Sequence, residues 1–102
     1  MLTWSGESCF CYYGSVKEGT SIRYGSGHLV DVSRQNYTAL LDHFRGKEVE
    51  VGTSRTKPPE GSVGKWLQQN VTKTAIASYV GPILIEEGYA VKGSTSSRIR
   101  FL

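Results

Sequence analysis

The period of hydrophobic and polar positions changes several times along the 102 residues. Residues 8–16 (SCFCYYGSV) and 21–25 (SIRYG) are aromatic and β-prone, and the turn-like KEGT between them predicts a hairpin. A second turn, GSGH, leads to LVDV at 29–32, a third short strand. From Ser33 the period becomes helical. Tyr37, Leu40, Leu41 and Phe44 form one apolar stripe that stops at Gly46, with Ser33 placed as the N-cap. KEVEVG then alternates Val49 and Val51 with charges, the pattern of a half-buried strand. TSRTKPPEG (53–61) reads as a loop, because its two prolines remove backbone donors and hold the chain extended. Ser62 starts a second helix with Val63, Trp66 and Leu67 inward, ending near Asn70.

The next run, NVTKTAIASYVGPILIEEGYA at 70–90, contains a conflict. Ile76, Tyr79, Val80, Ile83 and Leu84 fall at i, i+3, i+4, i+7 and i+8, one face of a helix. Pro82 sits inside that face, where it deletes a backbone hydrogen bond and costs ~3 kcal/mol in a continuous helix. The expectation is a third helix from Lys73 toward Glu87, capped by Thr72, ended or bent at Gly81-Pro82 and stopped by Gly88. Beyond Gly88 the period drops to 2. YAVKG (89–93) and SRIRFL (97–102) then form a hairpin with the polar tip GSTSS.

Helix, strand, helix, tight turn, helix and hairpin, in that order, resemble the winged helix-turn-helix fold. The resemblance is carried by SVGKWLQQN as second helix, VT as turn, KTAIASYVGPILIEEG as third helix and YAVKGSTSSRIRFL as wing. It covers residues 33–102. The expected fold is therefore α+β and a single domain: an antiparallel sheet extension over 1–32, then a winged-helix-like unit of three helices with a C-terminal hairpin wing. The resemblance implies double-stranded DNA as partner, with the third helix in the major groove and the wing on the backbone or minor groove. Lys73 and Thr74 would open that helix, where free N–H groups and the dipole favour a phosphate. Ser78 would face outward toward a base edge or phosphate. The wing tip would add Lys92, Ser94, Thr95, Ser96, Ser97 and Arg98, and Arg55 and Lys57 would extend the footprint from the proline loop. No arginine stands between Lys73 and Arg98, and bidentate arginine is the commonest reader of guanine. The implied role is thus a small backbone-reading regulator of transcription or an accessory protein.

Composition narrows this little. A hydrophobic fraction of 38% and a charged fraction of 21% fit a globular domain rather than a disordered chain. No run of 18 apolar residues predicts a membrane span, and the first residues lack the basic-then-apolar order of a secretory leader. A cytoplasmic location is expected. Residues 1–52 carry five Lys/Arg against six acids, whereas residues 53–102 carry seven against three. The second half is therefore the basic one, which suits a polyanion but also falls within the ordinary variation of small domains.

Cys9 and Cys11, two apart on a strand, point the same way, and a bridge between them would be strained. Zinc would need two more ligands, and neither histidine stands at recognised spacing. Two buried thiols are expected, with no metal and no cofactor. Asp42-His43 and His28 lack a marked nucleophile, so no catalytic set is expected, and His43 suits a helix C-terminus. GSVGKW is not a phosphate loop, and Asn36 and Asn70 match the glycosylation pattern by chance. Trp4, Phe10, Tyr12, Tyr13 and Tyr24 are too many for one buried sheet face. They suggest an interface for a homodimer or protein partner, and a protein–protein module is the rival reading.

Overall fold

The computed structural model describes residues 1–102. Strands β1 (Cys11–Ser15), β2 (Gly19–Tyr24) and β3 (His28–Ser33) form an antiparallel sheet in that order. Tyr12 lies opposite Ile22, which lies opposite Val30, so one face carries these apolar side chains and packs inward. Cys11, Tyr13, Arg23 and Leu29 share the exposed outer face. The thiols are thus not buried as expected. Phe10 between them is the inward residue, 5% exposed, and the period of two then turns Cys9 and Cys11 out.

Helix α1 (Arg34–Phe44) begins where Ser33 Oγ accepts the Asn36 N–H at 3.1 Å, and it buries Tyr37, Leu40 and Phe44. Strand β4 (Glu48–Glu50), helix α2 (Val63–Asn70), helix α3 (Ala77–Glu86) and strands β5 (Ala90–Lys92) and β6 (Arg98–Phe101) follow. The second sheet has the order β4-β6-β5, antiparallel throughout, with Ile99 facing Val49 on one side and Lys92 on the other. The fold is therefore mixed α+β, with three helices and two small antiparallel sheets. One core joins the two sheets through the helices: Ile22, Leu40, Ile83, Leu84 and Ile99 are fully buried, and Phe44 stacks on Phe101 at 5.1 Å. No helix is long and apolar enough to cross a membrane.

The third helix departs from its expected bounds. It starts at Ala77 rather than Lys73, because the Thr72 hydroxyl accepts the Thr74 N–H within the preceding turn instead of capping a helix. The first α3 bonds run from Tyr79 and Val80 back to the Ile76 carbonyl. The helix neither ends nor restarts at Pro82 but runs through it. A proline at 82 leaves the carbonyl four residues earlier, on Ser78, without its helical donor. The Trp4 N–H fills that place, donating to Ser78 O at 2.9 Å. One such bond returns about 1 kcal/mol of the ~3 kcal/mol cost. Complete burial of Ile83 and Leu84 just beyond the proline, at about 1.5–3 kcal/mol each, offsets the remainder.

Trp4 is held on three further sides. Its indole N–H donates to Ser96 O at 2.8 Å, the Lys92 ammonium lies 4.5 Å from its ring centroid, and its Cε3 edge packs on Gly81. A Cβ on Gly81 would sit 2.9 Å from that edge, so the helix must be bare there. The N-terminal segment, closed by a bridge between Leu2 and Cys9, therefore lies across α3 and ties it to the β5–β6 loop.

Candidate nucleic-acid interface

The loop between β4 and α2 displays two cations on a fixed turn. Pro58 is buried beneath it, and Ser54 Oγ accepts the N–H groups of Thr56 (3.3 Å) and Lys57 (3.0 Å). Gln68 of α2 donates to the Arg55 carbonyl at 3.2 Å, pinning the loop on the helix. Two grooves flank this turn. The first, of about 660 Å³, runs from Arg55 to Lys73 and Thr74, with Tyr24, His28 and Tyr79 forming its wall. No carboxylate lines it. The second, of about 630 Å³, carries Lys57, Lys92, Ser96 and Ser97, with Glu50 its single acid. The loop and the N-terminal segment border both, so the grooves adjoin.

Four ion pairs exist in the molecule: Arg45 with Asp42, Lys65 with Glu60, and Arg98 with both Glu48 and Glu50. None engages Arg55, Lys57, Lys73 or Lys92, and all four are exposed. Lys92 is steadied by the Trp4 ring, which leaves its charge uncompensated. These four are the free positive charges of the two grooves.

The other expected contacts are placed differently. Arg98 turns back onto β4, donating to Glu48 (Nε, 3.0 Å), Glu50 (Nη1, 3.2 Å) and the Glu48 carbonyl (Nη2, 3.0 Å). Ser94 donates to Glu48 through both its N–H (3.2 Å) and its hydroxyl (2.7 Å). The hairpin tip is thus fastened inward, and Arg98 and Ser94 are already engaged. Thr95 pairs with Ser97 at 3.3 Å and stands outside both grooves. Lys73 and Thr74 lie in the α2–α3 turn, so the helix-dipole argument does not reach them. Ser78 is half-buried under the Trp4 contact, and residues 1–6 run beside α3, sharing an open groove with Pro82 and Ile85.

The Glu48 carboxyl is held below the usual glutamate value, first by the Ser94 hydroxyl and then by the Ser94 amide, with Arg98 adding to them. A carboxylate whose folded value is depressed contributes stability above its unfolded value and loses it as pH falls through the folded one. We expect the Ser94 amide resonance to titrate with a midpoint below that of a free glutamate, with the hairpin tip loosening on the acid side. Glu48→Gln should abolish this transition. A midpoint at or above the ordinary glutamate value would show that Ser94 does not hold the carboxylate.

The five N-terminal aromatics do not form the expected common surface. Phe10 is in the core, Trp4 is wedged against α3, and the half-buried Tyr12 donates to Glu87 at 2.7 Å. Tyr24 stacks on Tyr79 at 4.8 Å, and only Tyr13, 62% exposed, faces outward freely. Sequence reasoning missed His28 and Tyr79 as groove residues. Tyr79 was absorbed into the apolar stripe of α3, and nothing local marks His28. Burial pushes the Tyr79 phenol up, Tyr24 adds to this and the Arg55 charge draws it back down. Compared with protein-family models, with curated proteins and with solved structures, the chain finds no match in any of the three.

Proposed function

We propose that this chain binds nucleic acid, double-stranded DNA first, by its phosphates and with little sequence preference. The observation that carries the reading is the set Arg55, Lys57, Lys73 and Lys92, exposed around two adjoining grooves that hold a single carboxylate. Uncompensated cations at one place are what phosphate contact requires. The order of elements from α1 to β6, with the central β6 joining β4 to β5, further supports a winged-helix-like unit. The mode differs from insertion of a recognition helix, since Trp4 lies across α3 at Ser78 and Gly81. Loops and the hairpin flank carry the contact, and α3 has no arginine for base-specific readout. Docking of a protein partner or a second copy is a separate reading, favoured by Tyr13 and Leu29 standing 62% and 65% exposed on the outer face of the first sheet.

The test is salt dependence. Four phosphate contacts give a slope of log affinity against log salt of about −3.6, or a loss of about 100-fold between 50 and 200 mM. Anisotropy with a labelled random duplex measures it. Binding that ignores salt, or no binding at low salt, removes the proposal.

A further inference from the structure

Phosphate binding needs only cations, yet the groove between Arg55 and Lys73 is walled by stacked rings. Tyr24 lies against Tyr79 at 4.8 Å and 26°, and against His28 at 5.4 Å and 27°. Tyr79 in turn meets the buried Phe10 edge-on at 5.1 Å, which anchors the ladder in the core. The outer end is His28, exposed at the start of β3. The imidazole lies close over the turn leading to it: Gly25 adopts φ +59°, and a Cβ there would come within 3.2 Å of His28 Cδ2. The ladder is therefore rigid at its base and open at its tip.

Flat rings beside unpaired cations, with no acid nearby, match one ligand chemistry: a nucleobase attached to phosphate. The groove volume of about 660 Å³ falls within the range of roughly 300–1,000 Å³ of small-ligand sites. A duplex keeps its bases stacked on each other and offers only its edges and backbone to such a groove.

We propose that this groove takes an unpaired base of a nucleic-acid strand, stacked on the His28 end of the ladder, with the adjacent phosphates on Arg55 and Lys73. This deepens the phosphate-binding reading and rests on it: the same face would hold duplex by its backbone and capture a base where the strand is single or frayed.

The experiment compares four labelled probes at low salt: a short oligothymidylate, an abasic strand of equal length and charge, a random duplex, and thymidine monophosphate. The oligothymidylate should bind about five- to a hundredfold more tightly than the abasic strand, the range that stacking one base on an aromatic ring supplies. His28→Ala should remove this preference while leaving the abasic strand nearly unaffected. His28→Phe, which keeps a flat ring without the ring nitrogens, should retain it. Arg55→Ala should weaken both strands alike. Equal affinity for the two strands overturns the base site while duplex binding keeps the phosphate reading intact. Absence of binding to every polyanion overturns both. Thymidine monophosphate binding as tightly as the strand overturns the assignment to a strand.

Discussion

Gly64→Ala is expected to lower stability by about 3 kcal/mol or more, a large part of the 5–15 kcal/mol typical of a small domain. In an exposed helix the same change would stabilise by up to about 1 kcal/mol, so the sign itself is diagnostic. Gly64 lies in the first turn of α2, where its N–H donates to the Val51 carbonyl at 2.8 Å. That bond draws the helix so close to the end of β4 that an added Cβ would overlap the Gly52 carbonyl oxygen and lie 2.8 Å from its carbon. The opposing atoms are backbone, so no side chain can rotate away. Gly52 is equally constrained, at φ +72° with Ser62 against it, and Ser62 is the buried cap that accepts the Lys65 N–H at 3.1 Å. Strand end, cap and helix start thus meet at one point, and the loop carrying Arg55 and Lys57 springs from it. Gly46→Ala serves as control. Its φ of +71° is unfavourable to alanine, but nothing lies within 4 Å, and about 1–2 kcal/mol should cover the loss. Urea unfolding of the two variants decides the matter. A Gly64→Ala midpoint equal to that of Gly46→Ala would mean that α2 does not press on β4.

The features legible in the sequence are those whose cause is local. Ser33 and Ser62 cap their helices as the residue types predict, because a cap bonds to an amide three positions on. The strands of the first sheet follow from period 2 and glycine turns. What escaped is what distance along the chain conceals. Pro82 looks like a helix breaker until Trp4, at the other end of the chain, supplies the donor that Ser78 lacks. Arg98 looks like a wing cation until Glu48, fifty positions earlier, takes it. Ser78 reads as an outward contact from helical phase alone, but phase cannot show that a tryptophan covers it. The cysteines were misplaced for a subtler reason: alternation gives two faces without saying which is inward, and the larger Phe10 decides. The basic residues of the proline loop and of the α2–α3 turn were legible as types. Their convergence is a product of the close β4–α2 approach, which two glycines permit and no pattern announces.

Neutralising the four groove cations together, with Arg55, Lys57, Lys73 and Lys92 each changed to Gln, should bring the salt slope from about −3.6 to near zero. Extrapolated from 1 M salt, that slope corresponds to an affinity gain of about 5 × 10⁴-fold at 50 mM, all of which the variant should lose. Each single change should reduce the slope by about one and weaken every duplex alike, because phosphates carry no sequence. Lys92→Gln has a second consequence, since it also removes the cation above Trp4, so the pair Arg55→Gln and Lys73→Gln gives the cleaner measurement. Arg98→Gln is the necessary contrast. Its guanidinium already neutralises Glu48 and Glu50, and removing it leaves two carboxylates facing each other without a cation. It should therefore loosen the β4–β6 pairing, visible in amide exchange, while the low-salt slope stays close to that of the unaltered chain. Equal losses of slope from Arg98→Gln and Lys73→Gln would place the phosphates on the hairpin side, away from the two grooves. The two residues carry the same formal charge, and only their partners distinguish them.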